Sequence, residues 1–168
     1  MNTAIINSDS YEKHDTGDGH PEQPKRVIAI KEKLKKRNDL IWETPVSVPD
    51  DILAMTHSKE YIENLNNSFP QKGFKFLDGD TVVSPESKKA VFDAAGSTIR
   101  AIDGIENNQF KNAFCLARPP GHHAEKDKAM GFCCISNAGV ATNYLINKYK
   151  YKKIACVDFD VHWGNGNY

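Results

Sequence analysis

The sequence predicts an α/β fold, a parallel sheet flanked by helices, and three features predict it. Residues 154–157, Ile154-Ala155-Cys156-Val157, form a short run with no charged residue, the pattern of a strand buried on both faces. Residues 113–117 form a second such run. Between the two, Val140, Ala141, Tyr144, Leu145 and Lys148 follow helical spacing, with an apolar stripe toward a core. Strand, helix, strand in that order makes a right-handed crossover whose strands are parallel. Both strands then end at one edge of the sheet, and open α/β sheets bind ligands outside that edge.

The 168 residues predict one domain with a real core. The 22 basic and 22 acidic residues cancel. No basic arm or stripe favours nucleic acid, and no apolar run reaches the length of a membrane span. The expectation is a protein that meets neither nucleic acid nor membrane. The first residues lack the basic-then-apolar pattern of a secretory signal. Cys115, Cys133, Cys134 and Cys156 show no Cys-x-x-Cys spacing, so they read as reduced thiols in a cytoplasmic protein. The adjacent Cys133 and Cys134 read as small buried hydrophobes in preference to zinc ligands.

In order along the chain, Thr3–Ile6 is the first strand. Residues 14–22 are a polar, glycine-containing loop with two histidines, which are solvated or turn-stabilising unless a ligand recruits them. Pro24 opens a helix whose stripe is Val27, Ile30 and Leu34 and whose lysines face solvent. Pro45 and Pro49 punctuate a connector with a short strand at 46–48. Asp50 caps a helix carrying Ile52, Leu53 and Met55, and Ser58 caps another carrying Tyr61, Ile62 and Leu65. Residues 66–79 are a turn-rich surface loop whose Phe69, Phe74 and Phe76 either line a pocket or pack as ballast. Ser84-Pro85 starts a helix with Val91, Ala94, Ala95, Thr98, Ile102 and Ile105 at helical spacing. Gly96 inside it predicts close approach of another element, and Asn107-Asn108 ends it. Ser136 or Asn137 caps the crossover helix.

Two stretches carry chemistry. Val157 leads into Asp158-Phe159-Asp160-Val161-His162-Trp163-Gly164-Asn165-Gly166. In an extended chain Asp158, Asp160 and His162 share a face, and two carboxylates with an imidazole suit a divalent metal. Gly164 and Gly166 permit a tight turn with backbone close to a ligand. The spacing alone also fits a second reading: the carboxylates cap the turn and His162 packs. The other stretch, Arg118-Pro119-Pro120-Gly121-His122-His123-Ala124, follows the 113–117 run. Its placement at the same sheet edge lets the two histidines face the Asp/His cluster.

Together with Gly19-His20-Pro21-Glu22, Pro24, Arg26, Asp80-Thr81, Ser84, Gly131-Phe132-Cys133 and Asn137, these stretches resemble the histone deacetylase family, the zinc-dependent deacetylases of arginase-like fold. The resemblance runs nearly end to end. The Gly-Asn-Gly ending is more similar to the class II and bacterial amidohydrolase branches than to class I enzymes, which usually carry Asp where Asn165 stands; Trp163 replaces a second His common there. The resemblance implies a three-layer arginase/deacetylase-like fold and hydrolysis of an acetyl-amide, on an acetylated lysine side chain or a small acetylated amine. It implies zinc held by Asp160 and His162, and His122 as general base oriented by Asp158. It implies His123 beside it as acid or electrostatic partner in contact with Asn165. Gly131 and Phe132 would shape the tunnel for the acyl-lysine stem, and Asp158 would help hold a potassium ion. It also places the family's third zinc ligand and its oxyanion-stabilising Tyr beyond Tyr168. The expectation is therefore a truncated, N-terminal half of a deacetylase domain over residues 1–168, completed by a missing C-terminal half or an oligomer partner. The competing expectation is an inactive remnant or interaction module. An arginase-like two-manganese hydrolase ranks low, because Trp163 and Gly164 follow His162 where that chemistry wants another carboxylate.

Overall fold

The structure is a computed structural model, and it describes residues 2–168. Its sheet has three strands in the order β2-β1-β5, formed by β1 (Thr3–Ile6), β2 (Leu40–Glu43) and β5 (Asn112–Cys115). Both pairings are parallel, with Ile5 opposite Trp42 on one side and Phe114 on the other. Side chains alternate across a strand. Ile5 therefore joins one cluster, with Tyr11, Val27, Ala90, Ala94 and Leu116, while Ala4 and Ile6 join another, with Ala101 and Phe110. Cover on both faces is what a parallel strand requires.

Around the sheet run α1 (Ser10–Lys13), α2 (Lys25–Leu34), α3 (Asp50–Thr56), α4 (Lys59–Asn66), α5 (Ser87–Glu106) and α6 (Asn137–Tyr149). A two-residue ribbon, β3 (Lys75–Phe76) with antiparallel β4 (Val82–Val83), precedes α5. The twenty-residue α5 is the organising helix. It packs on β1 and β5, and its Val91, Ala95, Ile99 and Ile102 meet α3, α4 and α6 in the largest apolar cluster. A Cβ on Gly96 would lie 1.9 Å from the Val46 carbonyl oxygen, so the connector crosses α5 there, as the sequence predicts.

Two caps form as expected. The Ser58 hydroxyl accepts from the Tyr61 N–H at 3.2 Å, and the Ser136 hydroxyl from the Gly139 N–H at 3.1 Å. Other expectations need correction. The first strand of the connector is Leu40–Glu43, not 46–48: Ile41 and Trp42 suit a strand, whereas Pro45 and Pro49 hold 46–48 against α5 as coil. Asp50 makes no cap bond, and Pro49 holds the position before α3. Ile30 is exposed. Phe69 packs against the helical cluster while Phe74 and Phe76 are exposed.

The largest correction concerns 154–157, which is not a strand. A strand apolar on both faces needs a layer against each, and among the described residues none covers this one. Val157, Phe159 and Val161 are 81%, 96% and 93% exposed, and the edge strand β5 leaves Phe114 46% exposed.

Candidate active site

Parallel strands deliver their following loops to one edge, so residues 7–24 after β1 and 116–136 after β5 meet there. The segment after α6 reaches the same place without strand pairing. The Gly166 N–H donates to the His122 carbonyl at 2.7 Å, and the Ser136 hydroxyl donates to the Gly166 carbonyl at 3.0 Å. A 3-10 turn, Asn165–Asn167, closes the segment. A Cβ on Gly166 would lie 2.2 Å from the Ala124 carbonyl oxygen, so only glycine lets these backbones meet.

His122 Nδ1 lies 3.0 Å from Asp158 Oδ2. Asp158 also accepts from the Asp160 N–H and the Asn167 amide. The Asp160 N–H first, and His122 second, hold the Asp158 carboxyl below its usual range. An ionised carboxylate only accepts, so His122 carries its proton on Nδ1 and keeps the Nε2 lone pair. His123 Nδ1 lies 2.6 Å from Asn165 Oδ1. The Asn165 amide is oriented by its Nδ2, which donates to Glu125 Oε1 and to the His123 carbonyl. Its Oδ1 therefore accepts, and His123 too is protonated on Nδ1. The two imidazoles stand 4.1 Å apart between centroids, and His162 lies 6.0 Å from His123. The four groups named from the sequence, His122, His123, Asp158 and Asn165, thus converge as two hydrogen-bonded pairs.

Asp160 Oδ1 accepts from the His162 N–H and lies 2.9 Å from His162 Nδ1. These contacts lower the Asp160 carboxyl, the backbone one most. Tetrahedral zinc with bonds of about 2.0–2.1 Å sets neighbouring donor atoms roughly 3.3 Å apart. A carboxylate oxygen and an imidazole nitrogen suit two corners of that figure in chemistry, while their 2.9 Å separation is that of a hydrogen bond. Among the described residues no group of three His, Cys, Asp or Glu forms a metal cluster.

Gly131 lies against the His123 imidazole, and Phe132 follows it. Gly131 has φ +56°, and a Cβ there would lie 2.4 Å from the His123 ring. Phe132 also has positive φ; its N–H donates to Thr81 Oγ1 at 3.0 Å, and its ring meets His20 edge-on at 4.8 Å. An open cleft of about 510 Å³ beside them is lined by Asp78, Gly79, Asp80, His123, Met130 and Gly131.

Two supporting nodes escaped the sequence reading. Arg118 and Glu22 are fully buried and paired bidentately, at 2.6 and 2.8 Å. His57, also buried, donates through Nδ1 to the Glu125 carbonyl and accepts at Nε2 from the Ser136 N–H, pinning the loop beyond His123. Arg118 and His57 each follow an apolar run, the only sequence signal for their burial, and nothing local pairs Arg118 with Glu22. The thiols of Cys133 and Cys134 are buried, and burial pushes Cys133 up to about 12, so they act as apolar groups.

Residues 20–168 match the family described as histone deacetylase domain. The chain is 40% identical, over 97% of its length, to an uncharacterised protein of Synechocystis sp., of which it covers 55%. It is 36% identical to a probable deacetylase of Methanothermobacter thermautotrophicus, covering 48% of that protein, and 34% identical to histone deacetylase 5 of Arabidopsis thaliana, covering 27%. The crystal structure of the HDA15 HD domain superposes with a TM-score of 0.88 at 32% identity, over 98% of this chain and 48% of that one. The chain thus spans about half, or less, of the length of these relatives.

Proposed function

The chain belongs to the histone deacetylase family, and from that premise we propose that residues 1–168 are the N-terminal half of a zinc-dependent deacetylase domain. The reaction is hydrolysis of an acetyl-amide on a lysine side chain or small amine: water adds to the acetyl carbon, the C–N bond breaks, and acetate and the free amine leave. The observation that carries this reading is the pairing of His122 with Asp158, next to His123 with Asn165, alongside the facing donors of Asp160 and His162.

His122 Nε2 takes the proton from water, and Asp158 stabilises the imidazolium through Nδ1. His122 then passes that proton from Nε2 to the departing amine, and His123, whose Nδ1–H donates to Asn165, stands beside it as the electrostatic partner. Gly131 and Phe132 wall the channel for the acyl-lysine stem. Asp160 and His162 would hold zinc, whose Lewis acidity polarises the amide carbonyl and acidifies water. Asp158 would also help hold a potassium ion, as the family resemblance implies. A third zinc donor would come from a C-terminal half or a partner chain; that the chain covers 55% and 48% of two relatives supports this. The free thiols suit a cytoplasmic location.

Zinc capacity of the purified chain, measured against a chromogenic chelator, tests this. Wild type takes up one zinc weakly, and Asp160→Ala or His162→Ala abolishes it; uptake unchanged in both variants removes the metal assignment. Turnover of acetyl-lysine peptide and acetylputrescine by the chain alone is little or none, and robust zinc-dependent turnover would overturn the half-domain assignment. The second reading, an interaction module without chemistry, is favoured by the exposed Val157, Phe159 and Val161. It predicts no zinc uptake at all.

A further inference from the structure

Among the described residues Arg118 is the largest fully buried side chain. It stands three residues after β5 and four before His122. Its Nε and Nη2 grip the Glu22 carboxylate, Nη1 donates to the Tyr11 carbonyl in α1, and Nη2 also reaches the Glu22 carbonyl at 3.4 Å. Glu22 is itself fixed: the Thr16 hydroxyl donates to its carbonyl at 2.6 Å, and His14 Nε2 lies 3.6 Å from its carboxylate. One guanidinium thus ties α1 and the 14–22 loop to the start of the segment that carries both imidazoles. Arg26 touches Glu22 only from the surface, at 3.5 Å.

Burying two charges is an expensive way to hold segments together, and apolar groups of similar volume commonly do as well or better. What apolar groups lack is direction. A bidentate fork fixes the plane and heading of the residue that bears it. Farther along the same segment Asn137 Nδ2 reaches the Pro119 carbonyl at 3.4 Å, and Gly166 holds the His122 carbonyl. Those two anchors come from α6 and the last turn. The Arg118 fork is the anchor that refers the imidazoles to α1 and the N-terminal loop.

We propose that Glu22 and Arg118 are positioning residues, whose buried bidentate pair aims the 118–123 segment so that His122 meets Asp158 and His123 meets Asn165. The catalytic consequence rests on the deacetylase reading; the positioning is read without turnover. Nitrogen-15 shifts of the imidazole rings at fixed pH report which ring nitrogen carries the proton. In the wild-type chain both His122 and His123 are locked with the proton on Nδ1. The double variant Glu22→Met/Arg118→Met keeps the fold by circular dichroism and thermal melting but loses the lock, so both rings move toward the mixture seen for free histidine. Arg118→Lys, which keeps the charge and discards the fork, loses it too. Retention of both Nδ1–H signatures in either folded variant overturns the proposal. So does failure of the double methionine variant to fold, because the pair would then serve stability, not direction. Neither result bears on whether the chain takes up zinc, so the two readings fail separately.

Discussion

His14 is buried, with Nδ1 2.6 Å from the Ser87 hydroxyl. Burial, then the nearby Arg118 guanidinium, pushes its pKa from 6.5 down to about 4, against the pull of Glu22. The folded state therefore binds a proton less readily than the unfolded one. Stability is full above pH 6.5 and falls as pH drops toward 4, by about 3 kcal/mol at most. His57 shifts in the same direction through burial. Thermal melts from pH 7 to pH 4.5 should show this decline, and His14→Gln should flatten it. The lowered carboxyls of Asp93 and Asp103 act in a different window, below 3.8, where protonation costs stability. A melting point constant from pH 7 to pH 4.5 would contradict a neutral buried His14. At the same scale, Asp158→Asn keeps an acceptor for His122 Nδ1 but removes the negative charge that stabilises its imidazolium. In an assembly with a completed site, kcat should fall about 10²- to 10⁴-fold; an unchanged kcat takes His122 out of the base role.

Among the elements, α5 makes the sharpest test. Alanine in place of glycine inside a helix normally stabilises by about 0.5–1 kcal/mol. At Gly96 the new methyl would meet the Val46 carbonyl, so Gly96→Ala should destabilise by about 1–3 kcal/mol. Urea unfolding decides the sign. Helices and caps were legible in the sequence because their signals are local: the stripe of α5, Ser58 and Ser136 each declare themselves within a few residues. The strand β2 was not, because four residues make a weak signal and its partner β1 lies far upstream. The site was legible in part. The histidine and carboxylate stretches were placed together from a sheet edge, yet the second of them arrives through loop hydrogen bonds, without the strand that argument assumed. The Glu22–Arg118 pair, 96 residues apart in sequence, leaves no local mark at all.

For the molecule as a whole, the exposed segment that includes Val157, Phe159 and Val161, together with the open edge of β5, is an invitation to association. The isolated chain should scatter light increasingly with concentration, and Phe159→Ser/Val161→Ser should suppress this without lowering the melting point, since neither side chain is packed. Equal scattering by the variant would place the sticky surface elsewhere. One last consequence follows from the direction of β1. The central strand starts at the sheet edge remote from the imidazoles and runs toward them, flanked on both sides by parallel neighbours. A tether fused ahead of Thr3 would emerge at the back of the molecule, so anchoring the chain to a sensor chip by its amino end leaves the cleft facing the flow.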